Sequence, residues 1–492
     1  MSIPIVTQNQ VKVAIEGCCH GELNKIYSEV ERRGGADLVL IGGDFQAIRN
    51  SNDLSCLSVP KKYLQMNDFH EYYNGTKEAK YLTIFIGGNH EASNYLSELF
   101  YGGWVAKNIY YLGKAGSVVF NGLRISGLSG IYKEGDYFKG HYERPPYNPT
   151  SLRSVYHTRE YEVTKLSFLN QRPDIMLSHD WPNNIEKYGN HQLLCKLKPF
   201  FKQDIFQNQL GSPASEYLLH HLKPQYWFSA HLHVKFKAIV YHQNSQYDGE
   251  QQNKRNQRID DEINLDEIKI NSDEIEINPD ELEINLGNDN EISIESKINI
   301  KGEKEQKNSD DSNNLSQEKI NNEETIVDNA NGSIKRPFEE EPTLTTEFLS
   351  LDKCGQVKGG KARKYLEIID IPIVNEELYN LLPKGRLCYD INWLAITKAL
   401  HPLLNLDYNY DINKQIQDFE GMQSKIKQCQ QEIIERNKLN KDCLGIPIPL
   451  NFKTEAPTSL ETIENLPKVV NWYPNSQTKG FCELVGIDNL FQ

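Results

Sequence analysis

Five short apolar runs punctuate the first half of the chain, at residues 11–15, 38–41, 82–86, 175–177 and 226–228, and each meets Gly or Ser within two residues. Their β-branched, aliphatic and aromatic content predicts strands. Between the first two, Leu23, Ile26, Tyr27 and Val30 repeat at helical spacing before Gly34-Gly35, which predicts a strand–helix–strand unit with a glycine stop. Parallel strands set their carboxyl ends along one edge, so whatever follows these runs is expected to converge.

Later patterns differ. Val234, Phe236, Ala238 and Val240 alternate, and Phe348 to Cys354 with Tyr365 to Ile371 follow much further on, so all three are expected in one sheet. Beyond Pro372, Trp393, Ile396, Ala399 and Leu400 form one helical stripe, and Ile412, Ile416, Phe419, Met422, Ile426 and Cys429 form a longer one. The fold class this predicts is α/β: a β-sandwich flanked by helices, with a mostly helical C-terminal domain. At 492 residues the chain exceeds a single compact core.

Residues 243–345 are different in kind, with 27 Asp or Glu against 11 Lys or Arg, no Trp, one Tyr and one Phe. That segment sums to −16 in a chain of net charge −14, so the remainder is +2, and the acidic total does not exclude a polyanionic partner. Within it, Asp266-Glu267-Ile268, Asp273-Glu274-Ile275 and Asp280-Glu281-Leu282 recur every seven residues. A coiled coil is one reading, but the β-branched and Asn content favours a disordered acidic low-complexity insert.

The ends of the five runs carry the chemistry: Gly17-Cys18-Cys19-His20, Gly43-Asp44-Phe45-Gln46, Gly88-Asn89-His90-Glu91, Ser178-His179-Asp180 and Ala230-His231-Leu232-His233. A bridged pair of divalent cations needs one shared carboxylate with neutral imidazole and amide ligands, and these segments hold that inventory. Singly each has a bland reading: Asp44 as a helix cap, Asn89-His90 as a turn, Cys18 as a small buried hydrophobe. Five coincident motifs outweigh those readings. His231 and His233, as alternate residues of a strand, are expected to face one side and chelate together. Cys19 is expected to point the other way and pack.

The order resembles the calcineurin-like metallophosphoesterase superfamily, whose pattern is Asp-x-His, Gly-Asp-x-x-Asp, Gly-Asn-His, a lone His, then Gly-His-x-His. Cys18 stands at the first Asp and Ala47 at the second Asp of the Gly-Asp motif. With those departures, Gly42 to Asn50, Ser178-His179-Asp180-Trp181-Pro182, Glu143 to Tyr147 and Phe348 to Cys354 are similar to the RNA lariat debranching enzymes. That resemblance implies a catalytic domain at 1–242, with 129–161 as lariat recognition loop, and a C-terminal debranching-enzyme domain at 346–492 whose first strands complete the sandwich. It implies one metal on Cys18, His20, Asp44 and His233 and another on Asp44, Asn89, His179 and His231, with His90 as general acid. The metals implied are Fe2+ and Zn2+, with Mn2+ as a substitute, and the thiolate of Cys18 suits those softer ions better than magnesium or calcium.

Residues 131–161 interleave aromatic and cationic side chains, among them Tyr132, Lys133, Tyr137, His141 and Arg144, as single-stranded or branched RNA demands. A Tyr-rich packed loop is the competing reading. The expected function is hydrolysis of the 2′-5′ bond at the branchpoint of excised introns, with branched RNA as partner and a nuclear location. A generic metallophosphoesterase acting on phosphoproteins or nucleic-acid ends would keep the ligands without needing the loop, and a catalytically dead scaffold would have lost them. Lys358, Lys361, Arg363 and Lys364 read as a nuclear address or as a solvated turn. Nine scattered cysteines predict a reduced chain, and the absence of a leader or of about 20 apolar residues in a row predicts no membrane span.

Overall fold

Alternate residues of the first apolar runs face opposite layers, and that alternation sets the architecture. In β1 (Gln10–Glu16), Val11, Val13 and Ile15 join one core and Ala14 another. β2 (Leu38–Ile41) divides Leu38 and Leu40 from Val39 and Ile41, and β3 (Leu82–Phe85) divides Ile84 from Phe85. A sheet covered on both faces needs apolar side chains at nearly every position, which is why these runs are near-continuous. The three strands are parallel, and the helix Leu23–Arg32 makes the first crossover with Leu23, Ile26, Tyr27 and Val30 buried.

These coordinates are a computed structural model, which describes residues 9–242, 344–357, 360, 362–409, 416, 418–458 and 470–491. β4 (Gly103–Ala106) and β5 (Ile109–Tyr111) extend the first sheet beyond β3. β6 (Ala115–Phe120) and β7 (Leu123–Leu128) form a hairpin in a second sheet, followed by β8 (Ile175–Ser178) and β9 (Tyr226–Ser229), both parallel to β7. β10 (Phe236–His242) and β11 (Leu344–Ser350) pair antiparallel at its edge. β12 (Leu366–Pro372) lies antiparallel to β1, whereas β13 (Leu387–Asp390) and β14 (Gly445–Pro447) extend the second sheet past β6. The orders are β12-β1-β2-β3-β5-β4 and β10-β11-β9-β8-β7-β6-β13-β14. Val13, Leu40 and Ile84 of the first sheet share a core with Ile125, Leu177 and Trp227 of the second, and this is the sandwich interior.

The expectation that Tyr365–Ile371 shares a sheet with β10 and β11 is corrected. After β11 the chain crosses the end of β1: Cys18 N–H donates to Asp352 O at 3.4 Å and Gly17 N–H to Tyr365 O at 3.1 Å, which delivers β12 to the opposite sheet. Sequence order shows adjacency along the chain but not which layer receives it. The acidic repeat and residues 243–343 lie outside the described residues, as do Lys358 and Lys361. His242 pairs with Leu344, so that segment enters and leaves at one hairpin, and β11 begins two residues inside the compositional boundary.

The C-terminal region supplies the helices Glu376–Leu381, Ile391–Leu400, Phe419–Arg436 and Ser476–Val485 besides its strands. Ile412 lies outside the described residues, Ile416 is in no helix, and Phe419, Met422, Ile426 and Cys429 lie on the helix Phe419–Arg436. The end of the chain is knitted to the first half: the Gln477 side chain brackets the Trp104 backbone with two bonds of 2.8 Å, and Phe481 stacks on Tyr101 at 5.0 Å. Among the described residues no helix is long and apolar enough to cross a membrane, and all nine cysteines are free.

Candidate metal centre

Every one of the five motifs begins at a strand end or within three residues of it, and the parallel order brings them together. Ligand atoms of Cys18, His20, Asp44 and His233 all lie within 4.8 Å of one another. His20 Nε2 is 3.5 Å from His233 Nε2 and 3.8 Å from Asp44 Oδ2. A second cluster shares Asp44, because His179 Nε2 lies 3.4 Å from Asp44 Oδ1 and 3.1 Å from Asn89 Oδ1, with the His231 ring centroid 5.0 Å from that of His179. His179 Nδ1–H donates to Gly42 O at 2.8 Å, so Nε2 is the nitrogen that faces the two oxygens; burial would lower the ring's pKa, but the Asp44 carboxylate beside it raises it. Thiol, imidazole, carboxylate and amide donors converging in this way are what a cation completes, and the donor set fits a divalent pair.

His231 and His233 are not strand neighbours on one face, and that expectation is corrected. β9 ends at Ser229, and both histidines sit in the following turn with φ of 62° and 49°. The turn separates their rings, one toward His179 and the other toward His20. His20 and Asp44 also adopt left-handed backbone, φ 47° each, a conformation that persists only where surroundings over-determine it. The closeness depends on glycine: a Cβ on Gly88 would fall 2.2 Å from Asp44 Oδ1, and one on Gly43 would fall 2.3 Å from His179 Nδ1. Cys19 packs into the core as expected.

Side chains with no assigned role in the sequence reading hold this arrangement. Glu91 is buried and accepts from the backbone N–H of Phe45 and Gln46 at 2.8 Å each and of Gly88 at 2.9 Å, tying two ligand loops together. Asn67 donates to Gln46 Oε1 at 3.1 Å and to His20 O at 3.2 Å. Ala47, at the family's second Asp, is packed in the core. Asp352-Lys353-Cys354 lies alongside Cys18, with Cys354 N–H donating to Cys18 O at 3.0 Å. Glu91 stands within a recognisable motif, but nothing in the sequence signals Asn67, which arrives from a loop without pattern.

Electrostatics follow from burial. Burial opposes ionisation of Asp44, yet His179, His90 and His20 around it hold the carboxyl well below its usual range. Burial drives His20 and His231 down to about 3 and His233 well below normal, leaving neutral rings able to donate lone pairs. Burial, with Asp44 and Glu16 nearby, raises the Cys18 thiol, although the His231 N–H points at its Sγ from 3.2 Å. His90 joins neither cluster as a ligand atom; its Nδ1–H donates to Ser58 O at 2.9 Å, its Nε2 is 3.1 Å from the Asn89 amide nitrogen, and its ring centroid is 5.9 Å from that of His20.

The segment expected to bind RNA is rooted at these loops, since Gly130 N–H donates to Gly87 O at 2.8 Å and Tyr132 N–H to Asp180 Oδ2 at 3.2 Å. It is a folded unit, with short helices at Glu134–Tyr137 and Pro149–Ser154. Lys133 and Arg144 are exposed, and Tyr132 and Tyr137 are half-buried. His141 is corrected as a surface contact: it is buried, with Nε2 2.9 Å from Glu162 Oε1, and so braces the segment from inside. Arg159 and Glu143 are likewise buried and paired at 2.5 Å.

The family model for the calcineurin-like phosphoesterases matches residues 11–235, and that for the lariat debranching enzyme C-terminal domain matches 343–490. The lariat debranching enzyme of Homo sapiens is 60% identical over 238 residues, which is 47% of this chain and 44% of that protein. Lariat debranching enzyme A of Xenopus laevis is 58% identical over 240 residues, 48% of this chain and 45% of that one. The chain thus spans less than half the length of these two relatives. The Schizosaccharomyces pombe lariat debranching enzyme aligns nearly end to end, 38% identical over 485 residues, covering 97% of this chain and 96% of that protein. This chain belongs to the lariat debranching enzyme family.

Proposed function

We propose that this chain hydrolyses the 2′-5′ phosphodiester bond at the branchpoint of excised introns, giving linear RNA with a 5′ phosphate and a free 2′ hydroxyl. The observation that carries the reading is the junction of two ligand clusters through Asp44 beside an aromatic and cationic segment bonded to the same loops. The names of the relatives support the substrate. Cys18, His20, Asp44 and His233 hold one divalent ion; Asp44, Asn89, His179 and His231 hold the other. The Cys18 thiolate suits Fe2+ and Zn2+, with Mn2+ as a substitute. When bound, such a pair supplies Lewis-acid polarisation of the phosphoryl oxygens and a nucleophile at neutral pH.

The chain's own residues do the rest. Ser58 O holds the His90 ring through Nδ1, and Nε2, 3.1 Å from the Asn89 amide nitrogen, is the atom that delivers a proton to the departing 2′ oxygen when the ring is imidazolium. Lys133 and Arg144 meet phosphates, and Tyr132 and Tyr137 meet splayed bases. Excised introns arise in the nucleus, and the reading carries that location with it.

The test is cleavage of a synthetic branched RNA against linear RNA of the same sequence. The branch should be cut and the linear strand left largely intact, and His90→Ala should keep both metals while losing about 10²- to 10⁴-fold in turnover. That loss should shrink for a leaving group needing no proton. Equal cutting of linear RNA, DNA ends or phosphopeptides would overturn the reading in favour of a generic phosphoesterase.

A further inference from the structure

The aromatic line that begins at the metal centre does not stop within the first half of the chain. Tyr132, bonded through its N–H to Asp180, lies 5.3 Å from Tyr137, and Tyr137 lies 4.9 Å from Phe138. The backbone then turns at Gly140 and His141 against the C-terminal region, where His141 N–H donates to Asn405 O at 2.9 Å. Three residues on, Tyr408 sets its ring 4.9 Å from Tyr142 at 63°, with Lys139 Nζ 4.1 Å over its face. Packing accounts for Tyr142, whose hydroxyl meets Ser154 Oγ at 3.1 Å, but it does not account for Phe138 and Tyr408, which stay 50% and 51% exposed.

We propose that Tyr408, with Tyr142 beside it, forms a stacking platform for a base in one single-stranded arm of the branched RNA, away from the reacting phosphate; this rests on the lariat reading above. An exposed aromatic face takes any base, because every base has a π-face, and a cation above the ring leaves the ring's other face for it. Asp407 beside it is exposed and Lys139 is already paired with Asp136 at 2.7 Å, so the surface selects a base ring and not a phosphate. The C-terminal region thereby takes part in substrate recognition, and Tyr408 is a binding residue, remote from catalysis.

Two substrates decide it: a branched RNA with arms of several nucleotides, and one trimmed to a single nucleotide on each arm. Tyr408→Ala should raise KM for the long-armed substrate by about 5- to 150-fold, the range for loss of one stacked base. KM for the trimmed one, and kcat for both, should not change, and Tyr408→Phe should behave as wild type. An equal rise on both substrates, or a fall in kcat, overturns the proposal. Should Tyr408→Ala fail to fold, Tyr408→Trp keeps an aromatic ring and reports directly: its fluorescence, after subtraction of the wild-type signal, should be quenched by linear single-stranded RNA. Absence of quenching overturns the platform, whereas quenching in a protein that cleaves no branch at all would keep the platform and overturn the proposed reaction.

Discussion

The metal centre and the recognition segment both take polar and charged side chains out of water, but they are held together by opposite means. At the centre, His20, His231 and His233 are driven to the neutral state and share their space with the Asp44 carboxylate and the buried Cys18, so lone pairs face one another. The recognition segment instead pairs its buried charges with one another and with its immediate neighbour: Arg159 with Glu143, His141 with Glu162, and Asp136 with both His157 and Lys139. One region is finished by what it binds. The other is finished before anything binds, and so offers its exposed rings and cations from a rigid base, which lowers the ordering cost of association.

If that contrast holds, the largest effects come from small displacements at the centre. Gly88→Ala places a methyl group 2.2 Å from Asp44 Oδ1, 2.6 Å from the Asp44 backbone nitrogen and 2.7 Å from His179 Cε1, so a fully buried ligand and its backbone must both shift. We expect loss of bound metal and a fall in branch cleavage of about 10²-fold or more, the scale for a displacement of about 1 Å at reacting groups. Metal analysis of the purified variant beside its turnover checks this. Wild-type metal content with wild-type turnover would show that the loops tolerate rearrangement.

The same contrast explains what the sequence disclosed. Each metal-binding side chain follows an apolar run and lies near Gly or Ser, because a parallel strand must end where ligands converge; strand, stop and ligand are all written locally. His141 was legible as a cation among tyrosines but not as a brace, since residue type does not say which way a side chain turns and only Glu162 across the segment decides it. The layer of β12 was illegible for a similar reason, being set by bonds from Gly17 and Cys18 to a distant stretch. β13 and β14 are too short, and too like their helical surroundings, to stand out as strands. Tyr408 carries no motif and matters only through its neighbours.

An intermediate effect is expected in the recognition segment. Glu143 accepts from Arg159 and from Ser154 Oγ, both at 2.5 Å and all buried. Glu143→Gln leaves the Arg159 guanidinium charged and without its counter-ion, which costs on the order of 3 kcal/mol. The thermal midpoint should drop, and KM for branched RNA should rise. Hydrolysis of a small activated phosphodiester such as bis(p-nitrophenyl) phosphate should persist in the folded fraction, because the centre is untouched. Parallel loss of both activities at a temperature where the variant is folded would mean that the two regions are not separable.

The smallest effect is a pH dependence. Burial alone would raise the Asp136 carboxyl, but its hydrogen bonds to His157 at 2.6 Å and Lys139 at 2.7 Å hold it well below the usual carboxylate range. A carboxyl with a folded-state value below its unfolded value of about 3.9 contributes its full stabilisation above that pH and loses it as pH falls through the folded value. Asp136→Asn should therefore be less stable than wild type at pH 7 by about 1.5 kcal/mol, the scale of a hydrogen bond to a charged group. The gap should stay level down to about pH 5 and close on further acidification. Denaturant unfolding of both proteins at pH 7, 5 and 3 measures it. A gap that widens in acid would assign the stabilisation to another group and leave the segment without its charged anchor at Asp136.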